Sequence, residues 1–134
     1  MQTTFVVQTA GPGLYEFTRN VSAWVRGEGL LTLFVQHTSC SLLVQENADP
    51  DVQTDLEAFM GRLAPRADDP SMRYLTHVLE GADDMPAHIR AALLPVSVQI
   101  PVADGQMRLG RWQGVYLWEH RDRPHRREVA AHLS

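Results

Sequence analysis

The chain has 134 residues, 44% of them hydrophobic and 21% charged, a composition ordinary for one globular domain over residues 1–134. Its formal net charge of −4 argues against a sequence-independent nucleic-acid-binding protein, which usually carries a basic excess. No apolar stretch approaches the roughly 20 residues that cross a bilayer, and the first ten residues lack a signal-peptide pattern. The single cysteine, Cys40, excludes an intrachain disulfide and fits a reducing compartment. We therefore expect a cytoplasmic domain without a membrane or nucleic-acid partner.

The first third of the chain has the pattern of strands around one short helix. Strand composition predicts strands over residues 3–9, 14–17, 30–37 and 41–46, with Gly and Pro residues between the first two. Helical spacing of apolar residues begins at residue 18 and ends near Gly27. The third and fourth strands are separated by a short turn, which predicts that they pair as a hairpin.

The second half of the chain alternates helices and strands. Asp49 and Pro50 have the residue types of an N-cap and a first helical position, and apolar residues at helical spacing follow through Leu63. A loop is expected over residues 62–70, residues 75–79 are ambiguous, and another helix is expected from Pro86 to about Leu94. Strands are predicted over residues 96–102, 112–120 and 127–133, the first followed by an Asp-Gly turn. This order predicts an α+β fold, a two-layer β-sandwich of mainly antiparallel strands with about three helices.

Polar side chains with possible chemistry cluster at the turn that follows residue 36. His37, Thr38 and Ser39 can bind an anion or position a nucleophile, although Thr and Ser are also ordinary turn formers. Cys40 has no acyl-transfer signature beside it, so a small buried packing residue is the favoured interpretation.

A second polar group, Glu46, Asn47 and Asp49, lies at the end of the next predicted strand. Taken alone, Asp49 is explained by helix capping. Glu46 ends an apolar strand, where a carboxylate usually needs a partner.

Residues 74–88 carry two histidines, His77 and His88, with three carboxylates between them. Imidazole is a common ligand of transition-metal ions, whereas carboxylates suit harder ions such as magnesium. The histidine spacing matches no compact zinc module, and an acidic surface loop is the alternative. The density of these groups favours a metal site over an acidic surface loop.

The strand predicted over residues 112–120 places aromatic residues on one face, which more often indicates a core than a cofactor site. The strand ends in Glu119, His120 and Arg121, three polar groups where it should leave the core. This position is typical of a pocket rim. The basic residues that follow can be a solvated loop or supply an arginine that binds phosphate.

Three runs, HTSCSLLVQENADPDV, EGADDMPAHIRAALL and RWQGVYLWEHRDRPHRREV, resemble signature segments of the YjbQ-like family. The likeness covers almost the whole chain, and no motif position is missing. The resemblance implies a seven-stranded two-sheet sandwich and a homotrimer whose sheets pack about a threefold axis. It also implies a secondary thiamine-phosphate synthase activity, which joins a pyrimidine diphosphate to a thiazole phosphate and releases pyrophosphate.

The leading hypothesis is an enzyme that handles a small phosphorylated molecule in a pocket with a divalent metal, zinc or magnesium. The expected metal ligands are His77, His88 and His120. The expected acid, base or site-tuning residues are His37, Glu46, Asp49 and Asp84. The expected anion-binding residues are Thr38, Ser39, Asn47, Gln113 and Arg121. An all-histidine triad suits zinc better than magnesium, whereas the thiamine-phosphate reaction favours magnesium. Two alternatives are a non-catalytic trimeric protein that binds metal or anion and a metal-dependent phosphate-ester hydrolase.

Overall fold

The computed structural model describes all residues from 1 to 134. The strands are β1 (Gln2–Gln8), β2 (Gly13–Glu16), β3 (Gly29–Val35), β4 (Cys40–Glu46), β5 (Ser97–Ala103), β6 (Gln106–Met107), β7 (Gln113–Glu119) and β8 (Arg126–Leu133). The helices are α1 (Thr18–Trp24), α2 (Pro50–Leu63) and α3 (Asp84–Leu93), with a short 3-10 helix at Pro70–Met72. None of the helices combines the length and apolar character that a membrane crossing requires.

Two antiparallel sheets face each other. The larger sheet has the strand order β1-β8-β3-β5-β6 and the smaller one has the order β2-β7-β4. Helices α2 and α3 pack against strands of the three-stranded sheet. Val21 of α1 and Val25, the residue that follows this helix, belong to the hydrophobic core. The predicted α+β two-layer sandwich is therefore confirmed, with the two-residue β6 as an eighth strand.

The predicted hairpin between the third and fourth strands is wrong. Strand β3 hydrogen-bonds to β5 and β8, whereas β4 hydrogen-bonds to β7 in the other sheet. Residues 36–39 thus carry the chain from one layer to the other. Both strands turn apolar side chains inward, including Leu33 and Leu42, so a short connection between them is compatible with either arrangement.

Helix α3 begins at Asp84, two residues before the predicted start at Pro86. A proline is tolerated in the first turn because the N–H groups of that turn have no intrahelical acceptor. Helix α2 begins as predicted, with Pro50 in its first turn and the Asp49 carboxylate accepting a hydrogen bond from the Asp51 N–H at 2.9 Å. The ambiguous residues 75–79 lie in neither a helix nor a strand.

The core lies between the sheets, and β7 is buried on both faces. Val115 and Leu117 point into the core. Tyr116 and Trp118 point the other way, toward α2, where the Trp118 Nε1–H donates to Glu57 at 3.4 Å. Trp112, at the start of the predicted aromatic face, precedes the strand and is exposed.

Truncation of a β7 side chain tests this core. We expect Leu117→Ala to lower the free energy of unfolding by about 2–5 kcal/mol, because Leu117 is fully buried and the change leaves a cavity. The control is Leu79→Ala, since Leu79 is 96% exposed and its truncation should change stability by less than about 0.5 kcal/mol. Urea unfolding of both variants measures the difference. Equal effects would contradict the assignment of Leu117 to the core.

Candidate functional site

His77, Asp84 and His88 form the densest group of potential metal ligands in the structure. One ligand atom from each residue lies within 4.8 Å of the other two. The Asp84 Oδ2 atom lies 2.6 Å from His77 Nε2 and 3.4 Å from His88 Nε2. The Glu80 carboxylate adds a contact of 3.0 Å to His77 Nε2. We call His77, Asp84 and His88 the histidine–aspartate cluster.

The backbone explains how the cluster forms. Asp84 is the first residue of α3, and His88 lies four positions later on the same face of that helix. His77 is supplied by the loop before α3. The His88 Nδ1 atom lies 2.9 Å from the Thr38 carbonyl oxygen, which accepts its hydrogen. This bond orients the ring and leaves Nε2 facing Asp84, the arrangement by which metal-binding histidines are commonly held.

Arg121 joins the cluster to the end of β7. Its Nη1 atom lies 2.8 Å from Asp84 Oδ1, its Nε donates to Asp83 Oδ2 at 2.8 Å, and its Nη2 donates to the Glu80 carbonyl at 3.2 Å. Burial raises the pKa of Asp84, but hydrogen bonds with His77 and Glu80 and the charge of Arg121 outweigh it and hold that pKa below its usual value. Asp84 therefore offers an ionised carboxylate to its neighbours.

His120 is not part of the histidine–aspartate cluster. It is buried against Trp118, with ring centroids 5.6 Å apart, and its Nε2 atom lies 2.9 Å from the Ser41 hydroxyl. Burial lowers the pKa of His120 to about 3, so the ring is neutral at physiological pH. The structure thus places Asp84, rather than His120, as the third neighbour of His77 and His88.

The carboxylate of Glu119 is fully buried and belongs to an ion pair with Arg127 rather than to an open rim. Its Oε1 atom accepts from Arg127 Nε at 2.8 Å and from the Thr9 hydroxyl at 2.7 Å. Arg127 Nη2 also donates to the Ser39 hydroxyl at 3.0 Å, so Ser39 is buried inside this network. Sequence reasoning missed this pairing, because Thr9, Ser39 and Arg127 come from separate parts of the chain.

His37 lies at the edge of that network. Its Nε2 atom accepts a hydrogen bond from the Glu128 N–H at 2.7 Å. Burial and the neighbouring charge of Arg127 lower its pKa. Thr38, the next residue, touches the histidine–aspartate cluster through its carbonyl oxygen alone.

The other predicted residues lie at the opposite end of β4. Six strand residues lie between Ser39 and Glu46, a span of roughly 20 Å. Glu46 accepts from the Asp49 N–H at 2.9 Å, and the Asn47 side chain donates to Glu16 at 3.3 Å. Gln113 accepts from the Gly110 N–H at 2.7 Å. Within one chain these groups bond to nearby turns and to a helix start, and the structure does not bring them to the histidine–aspartate cluster.

Cys40 lies in the core, as predicted for a packing residue. Burial raises the pKa of its thiol to about 12, so almost no thiolate exists at neutral pH. We expect Ellman's reagent to leave the folded protein unlabelled and to label one thiol per chain once denaturant unfolds it. Rapid labelling of the folded protein would contradict the burial of Cys40.

Two cavities are lined by residues that neighbour or contact the cluster, but His77, Asp84 and His88 themselves line neither of them. The outer pocket, about 520 Å³, is lined by Glu80, Arg121 and Arg123 together with residues of the 79–83 loop. The second cavity, which we call the inner cavity, has a volume of about 270 Å³, is as open to solvent as the outer pocket, and is lined by His120, Arg90, Glu57 and small residues. Both cavities share Arg66, Asp83 and Asp122. Sequence reasoning missed Arg90, Glu57 and Arg66, because an arginine or glutamate on or beside an amphipathic helix has the pattern of a solvated surface residue.

Comparisons with known proteins agree with this architecture. The chain is 51% identical to the UPF0047 protein sll1880 of Synechocystis, over 99% of this chain and 90% of the relative. It is 45% identical to the UPF0047 protein YjbQ of Escherichia coli O157:H7, over 79% and 73% of the two chains. The crystal structure of the conserved hypothetical protein TT1486 from Thermus thermophilus superposes with a TM-score of 0.85 at 40% identity, covering 98% of this chain and 99% of the other. The model of the family described as UPF0047 protein YjbQ-like matches residues 2–134, and the chain therefore belongs to that family.

Proposed function

We propose that this protein is a divalent-metal-dependent enzyme that acts on a small phosphorylated molecule. The proposed metal ligands are His77, Asp84 and His88, with Asp84 in the place that the sequence assigned to His120. One observation carries the proposal: ligand atoms of these three residues lie within 4.8 Å of one another, and Arg121, which pairs with Asp84, lines an open polar pocket.

The chemistry of the donor atoms fits zinc or a similar transition ion better than magnesium. Two imidazole nitrogens and one carboxylate oxygen make a ligand set found in catalytic zinc sites, where a fourth position stays open. Magnesium prefers oxygen ligands in near-octahedral geometry. The bond from His88 Nδ1 to the Thr38 carbonyl also supports metal binding, because it keeps the Nε2 lone pair toward Asp84.

An ion bound at this cluster would supply a Lewis acid that neutralises negative charge on phosphate oxygens. Arg121 is held between Asp83 and Asp84, so its guanidinium stays beside the cluster and limits the excess of negative charge there. Because Asp84 is ionised and only 3% of its side chain is exposed, it is a fixed ligand rather than a proton donor.

The outer pocket supports an anionic substrate. It is lined by three arginines and three carboxylates. Arg66 and Arg121 are paired with Asp122 and Asp83, whereas Arg123 has no ion-pair partner in the structure. A bound divalent ion would add positive charge at the Glu80 side of the pocket, which favours a phosphate between that ion and Arg123.

Activity assays of the zinc-loaded protein test the proposal. We expect either phosphate release from a panel of phosphate esters or, as the family resemblance implies, thiamine phosphate from the pyrimidine diphosphate and thiazole phosphate. Asp84→Asn should lower either activity by a factor of at least about 100, since it removes a charged ligand. Arg62→Gln is the control, because Arg62 is exposed on α2 and lines neither cavity. Metal binding without turnover of any substrate would favour the non-catalytic alternative.

We also propose that three copies associate through the outer face of the five-stranded sheet. Val6, Leu30 and Phe34 lie on that face, and Phe34 is 49% exposed. Most of the other residues on this face are polar, and exposed apolar side chains among them fit a subunit interface. We expect light scattering to give the mass of a trimer and Phe34→Glu to lower it. Phe59→Glu, which changes an exposed phenylalanine of α2, should leave the mass unchanged. A monomeric parent protein would refute the trimer.

A further inference from the structure

The buried ion pair between Glu119 and Arg127 is not explained by stability alone. The Arg127 side chain is only 5% exposed, and the Glu119 side chain is not exposed at all. The cost of taking two charges out of water can exceed the gain from their attraction, so an apolar pair of similar volume often stabilises a fold at least as well. The other contacts of the two residues point to a role beyond stability.

Arg127 holds the turn between β3 and β4. Its Nη2 atom donates to the Ser39 hydroxyl at 3.0 Å and to the Ser39 carbonyl at 3.3 Å. The next residue of β8, Glu128, donates its N–H to His37 Nε2 at 2.7 Å. The residues on both sides of Thr38 are thus bonded to β8, and these bonds fix the direction in which the Thr38 carbonyl points.

The Thr38 carbonyl is the group that orients His88. It accepts from His88 Nδ1 at 2.9 Å, which leaves the Nε2 atom 3.4 Å from Asp84 Oδ2. An acceptor on one imidazole nitrogen sets the angle of the ring and the tautomer, and therefore the direction of the lone pair on the other nitrogen. A shift of the turn would rotate the His88 ring away from Asp84.

Glu119 supports the other side of the histidine–aspartate cluster. Its Oε2 atom accepts from the backbone N–H of His120 at 3.1 Å and from that of Arg121 at 3.2 Å. The Arg121 guanidinium in turn lies 2.8 Å from Asp84 Oδ1. The buried ion pair is therefore connected to two of the three proposed metal ligands by separate routes.

We propose that Glu119 and Arg127 are positioning residues for the metal site. Arg127 holds the turn that orients His88. Glu119 holds the backbone of Arg121 and so keeps its guanidinium beside Asp84. The inference rests on the proposed function, because it assigns the ion pair a role toward the metal proposed there. Residues that hold metal ligands in place typically contribute a factor of about 10–100 in metal affinity.

Zinc affinity, measured by competition with a chelator, separates positioning from stability. We expect Arg127→Met to bind zinc at least about tenfold more weakly than the parent protein. The double variant Glu119→Leu, Arg127→Met should recover much of the stability, because an apolar pair replaces the ion pair. Its zinc affinity should nevertheless stay at least about tenfold below that of the parent, since neither new side chain replaces the hydrogen bonds to the turn and to the backbone.

Two controls make this comparison specific. Leu117→Ala lowers stability through a core cavity but removes no hydrogen bond, so the molecules that remain folded should bind zinc as the parent does. Arg126→Met removes an exposed arginine from the same strand and should also match the parent. Zinc affinity that falls with stability in Leu117→Ala, or that returns with stability in the double variant, would overturn the inference.

Arg127→Lys is a second test that does not depend on the double variant folding. It keeps a positive charge beside Glu119, but an ammonium lacks the planar fork of donors with which arginine reaches Glu119 and Ser39 together. We expect it to fold and to bind zinc more weakly than the parent. Parent-like zinc affinity in Arg127→Lys would contradict the role of the guanidinium in holding the turn.

The orientation of His88 is measurable without metal. Long-range proton–nitrogen spectra of the metal-free, ¹⁵N-labelled full chain in alkaline buffer report which ring nitrogen carries the hydrogen. In the parent protein His88 Nδ1 should carry it, because the Thr38 carbonyl accepts it. In the double variant a large fraction of the molecules should carry it on Nε2, which faces the Asp84 carboxylate.

The two measurements distinguish failure of this inference from failure of the proposed function. A parent protein that binds no zinc would refute the metal site, and the spectra alone would then decide whether the ion pair orients His88. An unchanged His88 tautomer in the double variant would overturn the inference whether or not the parent binds zinc. The expected result is a stable double variant that has lost both the Nδ1–H tautomer and tight zinc binding.

Discussion

Removal of the His88 imidazole should reduce the bound zinc of the untagged protein from about one ion per chain to almost none, because a three-ligand site cannot hold zinc tightly with two ligands. Asp84→Asn should have a similar effect, since Asp84 lies between the two histidine rings. The protein is dialysed first against zinc-containing buffer and then against metal-free buffer. Elemental analysis then measures the bound zinc per chain.

Two histidine controls make this result specific. His120→Gln tests the ligand set that the sequence favoured against the one that the geometry favours, and we expect its zinc content to match that of the parent protein. His132→Ala changes an exposed histidine at the far end of β8 and should also have no effect. Equal metal content in the parent and His88→Ala would refute the site, and loss of zinc in His120→Gln would restore His120 as a ligand.

Loss of the Arg127 guanidinium should lower the free energy of unfolding by about 3–5 kcal/mol, because it leaves the Glu119 carboxylate charged, buried and without its main partner. Arg127→Met tests this, with urea unfolding as the measurement. Adding Glu119→Leu should recover much of the stability, since an apolar pair can replace a buried ion pair.

The neighbouring Arg126 is a matched control for Arg127. It lies on the same strand and pairs with Glu128, but 58% of its side chain is exposed. Arg126→Met should therefore change the free energy of unfolding by less than about 1 kcal/mol. Similar losses in the Arg126 and Arg127 variants would contradict a special role for the buried pair.

The same carboxylate predicts how stability depends on pH. Burial raises the pKa of Glu119, but hydrogen bonds from Arg127 and Thr9 outweigh it and lower that pKa from the ordinary 4.5. A lowered pKa in the folded state means that the unfolded chain takes up the proton first as the pH falls. The stabilisation is therefore complete above pH 4.5 and is lost as the pH drops through the folded-state pKa. In the double variant Glu119→Leu, Arg127→Met, unfolding midpoints should depend less steeply on pH in that acid range.

The sequence by itself determined most of the local structure. Alternating apolar residues predicted the strands, and the Asp49-Pro50 pair predicted the start of α2, because strand period and helix capping depend on residues a few positions apart. Three motifs in the right order were enough to identify the family. The packing role of Cys40 also followed from its neighbours along the chain.

Only the tertiary structure decided which polar groups meet. A short turn between β3 and β4 did not reveal that the chain changes sheets there, because a hairpin and a crossing between layers have similar local sequence patterns. Glu46 and Asp49 stayed at one end of β4, while Asp84 joined His77 and His88 through the geometry of α3. Strand register and helix docking depend on how side chains that are distant in sequence are buried together in one core. The partners of Asp84, Glu119 and His120 were therefore fixed by packing rather than by neighbouring sequence.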